Sequence, residues 1–293
     1  MRLFSFLFFI LLCPYFSLAQ KSGIDYKLYD THLRRETTLE QIADKMQRGE
    51  VLVFGEQHDD SIGHLMEHGM LEVLFSKHKT DVILAMEMFH RDVQYILNEY
   101  LAGLISEKNF IKEARAWDTY KTDYRAAVEF AKEKGFKVVA ANTPSRYANM
   151  VTRKGLESLN GLSKTVRKNY LPPLPVDTMK GEYYDRFLEA MGGHSMPGMN
   201  LYQSQNLWDA TMSWSIAEAL KKNKKGIVFM MNGRFHSDNH LGFVKRLNED
   251  YHKKATTISC FAAEDFGNPD WTKYQQLADY IMLTRPKVKD INQ

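Results

Sequence analysis

Six short apolar runs, rich in β-branched residues, set the tightest limit on what this chain can fold into. They are "VLVFG" at 51, "DVILAMEMF" at 81, "KVVAAN" at 137, "GIVFMMNG" at 226, "TTISCF" at 256 and "DYIMLT" at 279. Continuous apolar runs of this length suit strands buried on both faces, and the helical-looking stretches between them suit parallel crossovers. The expected architecture is therefore α/β: a mostly parallel central sheet covered by helices. Between the third and fourth of these strands, roughly residues 145 to 225, the interval is too long for a simple crossover. A proline-marked loop, a Met- and Tyr-rich helical patch, a glycine-punctuated loop and a final helix there predict a helical cap within one α/β domain spanning 20–293.

Each run ends abruptly in polar residues. Ligands of open parallel sheets bind outside the carboxyl ends of the strands, and this chain places Glu56 and His58 after the first run, and Glu87, His90 and Arg91 at the end of the second. Asn142 to Arg146 follow the third, and Asn232 to Asp238 the fourth. Taken singly, most of these have plain explanations. A glycine after a strand serves a turn, and a histidine there can cap the next helix, as Asp59 or Ser61 can. Glu87 is harder to explain away, because a carboxylate inside an apolar strand must find a partner or take a proton.

Two strand ends share the pattern G-x-x-H, Gly55-Glu56-Gln57-His58 and Gly233-Arg234-Phe235-His236. A glycine turn at each would fold the backbone over the strand end and aim the histidine across the rim. Two histidines with carboxylates can hold a divalent metal or supply a general base with its orienting partner. Glu56, His58, Glu87 and His236 are thus the candidate catalytic residues, with His58, Glu87 and His236 as candidate metal ligands. His64 and His68 lie four apart on the following helix, a chelating spacing, although Glu67, His68 and Glu72 read equally as a solvated face. H-E-x-x-H, P-loop, EF-hand and G-x-S-x-G motifs are absent. Cys260, in the middle of a strand, reads as a buried structural thiol.

The first segment, "MRLFSFLFFILLCPYFSLAQ", has the charge, short apolar core and small-residue stop of a signal peptide, residues 1–19, cut after Ala19. Export to the periplasm or envelope follows. Acylation at Cys13 is the weaker reading, because Leu11 and Leu12 precede it where such signals want small residues. Once the signal is removed, Cys260 is alone and no intrachain disulfide can form. Lysine and arginine number 39 against 36 acidic residues, with no basic stripe among aromatics, so nucleic acid is not an expected partner.

"VLVFGEQHDD", "LAMEMFHRDVQ", "AWDTYKTDYRAAVEFAKEKGFKVVAANTPSRYANMVTRKGL", "QNLWDATMSWSIAE" and "MNGRFH" together resemble the ChaN-like haem-binding uptake family over residues 35 to 285. That family stands with the Tiki and TraB proteases and the erythromycin esterases in a superfamily marked by paired G-x-x-H motifs and a glutamate. The resemblance implies haem binding tied to iron acquisition, a homodimer whose facing pockets enclose haem, and contact with outer-membrane haem uptake machinery. It places Glu56, His58, Glu87 and His236 in the superfamily's polar centre. A porphyrin needs an apolar slot, an axial ligand and partners for two propionates. The cap's tyrosines and methionines read first as its inner face. Among cap residues Tyr202 and His194 are the candidate haem ligands, and Arg146 and Arg153 the candidate propionate partners. A metal-dependent hydrolase or peptidase built on the paired motifs is the alternative.

Overall fold

The computed structural model describes residues 25–193 and 198–287, so the signal segment with Cys13 lies outside the described residues. Two short strands, β1 (Tyr26–Asp30) and β2 (Arg35–Glu36), precede the six expected ones, which are β3 (Val51–Glu56), β4 (Val82–His90), β5 (Lys137–Asn142), β6 (Ile227–Gly233), β7 (Ala255–Ala262) and β8 (Tyr280–Thr284). All eight form one sheet in the order β2-β1-β8-β7-β3-β6-β4-β5. Strands β3 to β8 run parallel, while β1 and β2 add an antiparallel edge.

Ten helices carry the chain between strands: α1 (Leu39–Lys45), α2 (Ser61–His78), α3 (Gln94–Leu101), α4 (Glu107–Glu113), α5 (Arg125–Lys134), α6 (Ser145–Lys154), α7 (Lys164–Tyr170), α8 (Glu182–Ala190), α9 (Leu201–Lys222) and α10 (Gly242–Glu249). Strand alternation assigns them to the two faces. Leu52 and Phe54 of β3 join a core with α1, α2, α3 and α5, while Val51 and Val53 join a second core with α9 and α10. Both faces of the central strands are covered, which is why their sequences read as unbroken apolar runs.

The interval after β5 is built around α9. Its C-terminal half packs on the sheet through Met212, Ile216 and Leu220, each buried and each worth roughly 1.5–3 kcal/mol. The N-terminal half supports the added layer, because Leu207 packs with Tyr147 and Val151 of α6, Leu159 and Leu171 in a small separate core. Helix α6 shares a cavity with the carboxyl ends of β4 and β5, and α8 shares one with those of β3 and β6. Among the described residues no helix is long and apolar enough to cross a membrane.

Candidate ligand-binding rim

Strands β3 and β6 pair so that Gly55 lies opposite Asn232 and Glu56 opposite Gly233, which brings both G-x-x-H motifs to one level of the rim. The glycines serve a close approach. A β-carbon at Gly55 would stand 2.6 Å from Ser237 Oγ and 3.0 Å from Arg234 Cα, and one at Gly233 would stand 2.6 Å from His58 Nε2. Each motif's glycine makes room for the other motif, and Gly55 itself continues strand β3, contrary to the expected turn.

Glu56 is buried at the end of β3. Its Oε1 accepts from His58 Nδ1 at 2.6 Å and from the Tyr124 hydroxyl at 2.7 Å. Burial pushes this carboxyl up, but the bonds from His58 and His64 outweigh it and hold Glu56 well below the usual carboxylate range. The same bond to Glu56 raises His58, whose side chain stays 51% exposed. Helix α2 opens on Asp60, whose Oδ1 accepts the Ile62 N–H at 3.1 Å, so the cap is neither Asp59 nor Ser61. The first turn of α2 carries His64 inward, where Nδ1 lies 3.1 Å from Glu56 Oε2 and 3.5 Å from Glu67 Oε2. Burial lowers the His64 imidazole, yet the two carboxylates raise it to about 11. Glu67 is fully buried, against the solvated-face reading, and burial together with the Glu56 charge raises it well above its ordinary value.

The second half of the rim is drier. The β4–β5 ladder breaks between Met86 and His90, and the β4–β6 ladder ends at Met86. Glu87 sits in this break, and its Oε2 accepts the Gly233 N–H at 2.8 Å, taking over where the backbone ladder stops. His236 is 9% exposed in its side chain and lies between two carboxylates. Nδ1 donates to Asp209 Oδ1 at 2.7 Å, and Nε2 faces Glu87 Oε1 at 3.4 Å. The Tyr183 hydroxyl donates to Asp209 Oδ2 at 2.6 Å. Burial disfavours the His236 cation, but Glu87 and Asp209 raise it to about 10, so His236 is an imidazolium at neutral pH. Its charge holds Glu87 low despite burial.

Two cavities flank this centre. One of about 400 Å³ lies under α8, lined by Phe187, Ala190 and Met191 on one side and by His58, Arg234, Phe235 and His236 on the other. The second, about 390 Å³, lies under α6 and is lined by Glu87, His90, Trp117, Asn142, Asn149 and Trp208 among others. The structure therefore gathers Glu56, His58, Glu87, Asn142 and His236 at one rim. It does not bring ligand atoms of His58, Glu87 and His236 within one ion's reach. Among the described residues the group that meets that condition is Glu56, His64 and Glu67.

The candidate haem partners are dispersed. Tyr202 lines neither cavity: its hydroxyl donates to the Met179 carbonyl, and its ring packs between Tyr184 and Phe187. Arg146 pairs with Asp92 and stacks over Tyr147, beside the second cavity without lining it. Arg153 is exposed near the end of α6, and His194 lies outside the described residues. Cys260 is fully buried in β7, and burial pushes its thiol up. From sequence Asp209 and Tyr124 carry no signal of their own, and Glu67 reads as part of a solvated face; a carboxylate on α9 looks exposed until Tyr183 and His236 are seen against it.

The family described as haem-binding uptake, Tiki superfamily, ChaN, matches residues 42–247, from within α1 to within α10. A structure of ChaN of Campylobacter jejuni, with cofacial haem binding, aligns over 89% of this chain and 98% of that one, at 16% identity and a TM-score of 0.65, a likeness of fold. An erythromycin esterase in its open conformation covers 90% of this chain and 84% of its own at 11% identity, with a TM-score of 0.48, too loose to argue from. Among curated proteins, the chloroplast protein RETICULATA-RELATED 5 of Arabidopsis thaliana is 29% identical over 91 residues, and the match spans only 12% of its length. With the family match covering the sheet's central strands and both G-x-x-H motifs, this chain belongs to the ChaN haem-binding uptake family of the Tiki superfamily.

Proposed function

We propose that this protein is exported to the periplasm or envelope and binds haem there for haem and iron acquisition, with haem as cargo. The observation that carries the reading is the cavity under α8. Its wall of Phe187, Ala190, Met191 and Phe235 offers the apolar surface a macrocycle needs, and its floor carries His58, Gln205, Arg234 and His236. The residues fit the group. His58 Nδ1 is committed to Glu56, the arrangement that fixes the tautomer of a metal-binding imidazole and raises its basicity, and no described group bonds Nε2. His58 is thus the residue that would donate to the haem iron. Arg234, paired with Asp238, and His236, between Glu87 and Asp209, stand at the same floor and would be the cationic groups nearest the propionates. Facing pockets of two copies, and delivery from an outer-membrane transporter, belong to the same proposal.

Ferric haem added to the purified protein should shift its Soret band and saturate at a fixed stoichiometry, and Phe187→Asp in the apolar wall should weaken binding at least tenfold. A titration with no saturable shift refutes the reading. The hydrolase alternative draws on one observation, the Glu56–His58 pair at the cavity edge, a base with its orienting carboxylate. Ester or peptide hydrolysis that disappears in His58→Ala would support it.

A further inference from the structure

Behind the first G-x-x-H motif, three side chains direct acceptor atoms at one another. His64 Nε2 donates to the His58 carbonyl at 3.0 Å, which turns Nδ1 toward Glu56 Oε2 at 3.1 Å and Glu67 Oε2 at 3.5 Å. Both carboxylates are at least 99% buried, yet Glu67 Oε1 has no hydrogen-bond partner and Glu56 Oε2 has only the ion-pair contact with His64 Nδ1. Buried carboxylate oxygens are costly unless a donor or a cation meets them. One ligand atom from each of the three residues lies within 4.8 Å of the others. Donor atoms held about 2.0–2.2 Å from one first-row ion stand about 3.0–3.5 Å apart, so the two nitrogen–oxygen separations match edges of a coordination polyhedron.

We propose that Glu56, His64 and Glu67 form a binding site for a divalent first-row cation of the zinc, manganese, iron(II) or cobalt type. One imidazole nitrogen with two carboxylates is a donor set those ions accept, and two carboxylates balance the dication in a site with no room for net charge. The outer partners are in place. The His58 carbonyl orients His64, while His58 Nδ1 and the Tyr124 hydroxyl hold the other Glu56 oxygen. His64 and Glu67 are one turn apart on α2 and Glu56 ends β3, so the ion would pin the first turns of the helix to the strand. Glu56 also borders the haem cavity and holds His58 through its other oxygen, but His64 and Glu67 lie behind it on α2, and the test below needs no haem.

The test uses the full chain without haem, stripped with a chelator, incubated overnight with Co²⁺ and desalted. One retained Co²⁺ per chain with visible ligand-field bands is expected. Glu67→Gln, which keeps the side chain's shape, and His64→Gln should each retain less than a tenth as much. Circular dichroism identifies a variant that has not folded, and Glu67→Gln carries the test if His64→Gln fails that check. No retained Co²⁺ on the wild type overturns the proposal. So does full retention by folded Glu67→Gln, or loss on Glu87→Gln with retention on Glu67→Gln, either of which puts the ion elsewhere.

Discussion

The two G-x-x-H motifs end adjacent parallel strands at the same level, yet their histidines live in different surroundings. His58 meets one carboxylate and is half-exposed at a cavity edge, whereas His236 is sealed between Glu87 and Asp209. The motif fixes where an imidazole goes. What that imidazole meets is decided by residues outside the motif: Glu87 and Asp209 raise the buried His236 to about 10, while among the described residues His58 has one hydrogen-bonded carboxylate, Glu56. One half of the rim is a sealed imidazolium and the other presents a half-exposed imidazole.

That contrast can be broken most severely at Asp209. Asp209→Ala strips the buried imidazolium of its closest counter-charge and leaves the Tyr183 hydroxyl without its acceptor. The loss should be about 3–5 kcal/mol of unfolding free energy, read from urea denaturation. Removing the exposed counterpart costs less. His58→Ala should lose about 1 kcal/mol, since Glu56 keeps the Tyr124 hydrogen bond. Equal losses would contradict the division.

The glycines sharpen the same comparison. Gly55→Ala drives a β-carbon toward Arg234 backbone, which cannot retreat, and should cost about 1–3 kcal/mol. Gly233→Ala clashes with the far end of the His58 ring, a half-exposed side chain that can swing outward by giving up its Glu56 bond. Its stability loss should be the smaller of the two, while the His58 NMR signals move away from their wild-type positions.

The same buried charge can be read from pH dependence. His236 is raised from 6.5 to about 10 in the folded chain, so the stability it contributes is fully present below 6.5 and is lost as pH rises toward 10. Asp209→Asn should flatten that decline relative to wild type across this window, measured by denaturation at each pH. A decline of unchanged slope would show that His236 is not the group titrating.

The central strands were legible because burial on both faces leaves an unbroken apolar record in the sequence, as in β3 and β6. The edge was not: β1 mixes Lys27 with apolar neighbours and β2 is the exposed pair Arg35–Glu36, so neither differs from a loop in composition. Glu56, His58, Glu87 and His236 were legible because strand ends converge on one rim. Glu67 was not, because a glutamate next to His68 and near Glu72 reads as a wet helix face until His64 and Glu56 are seen against it. Tyr202 shows another limit: a tyrosine in an aromatic cap reads as free to ligate, while here its hydroxyl donates to the Met179 carbonyl.

The most direct measurement of the central claim is the absorption spectrum of the ferric haem complex of wild type, His58→Ala and Tyr202→Phe, titrated side by side. The account predicts saturable binding by wild type, a different Soret position and weaker binding in His58→Ala, and an unchanged spectrum in Tyr202→Phe. Identical spectra for wild type and His58→Ala, with the change appearing in Tyr202→Phe, would contradict it.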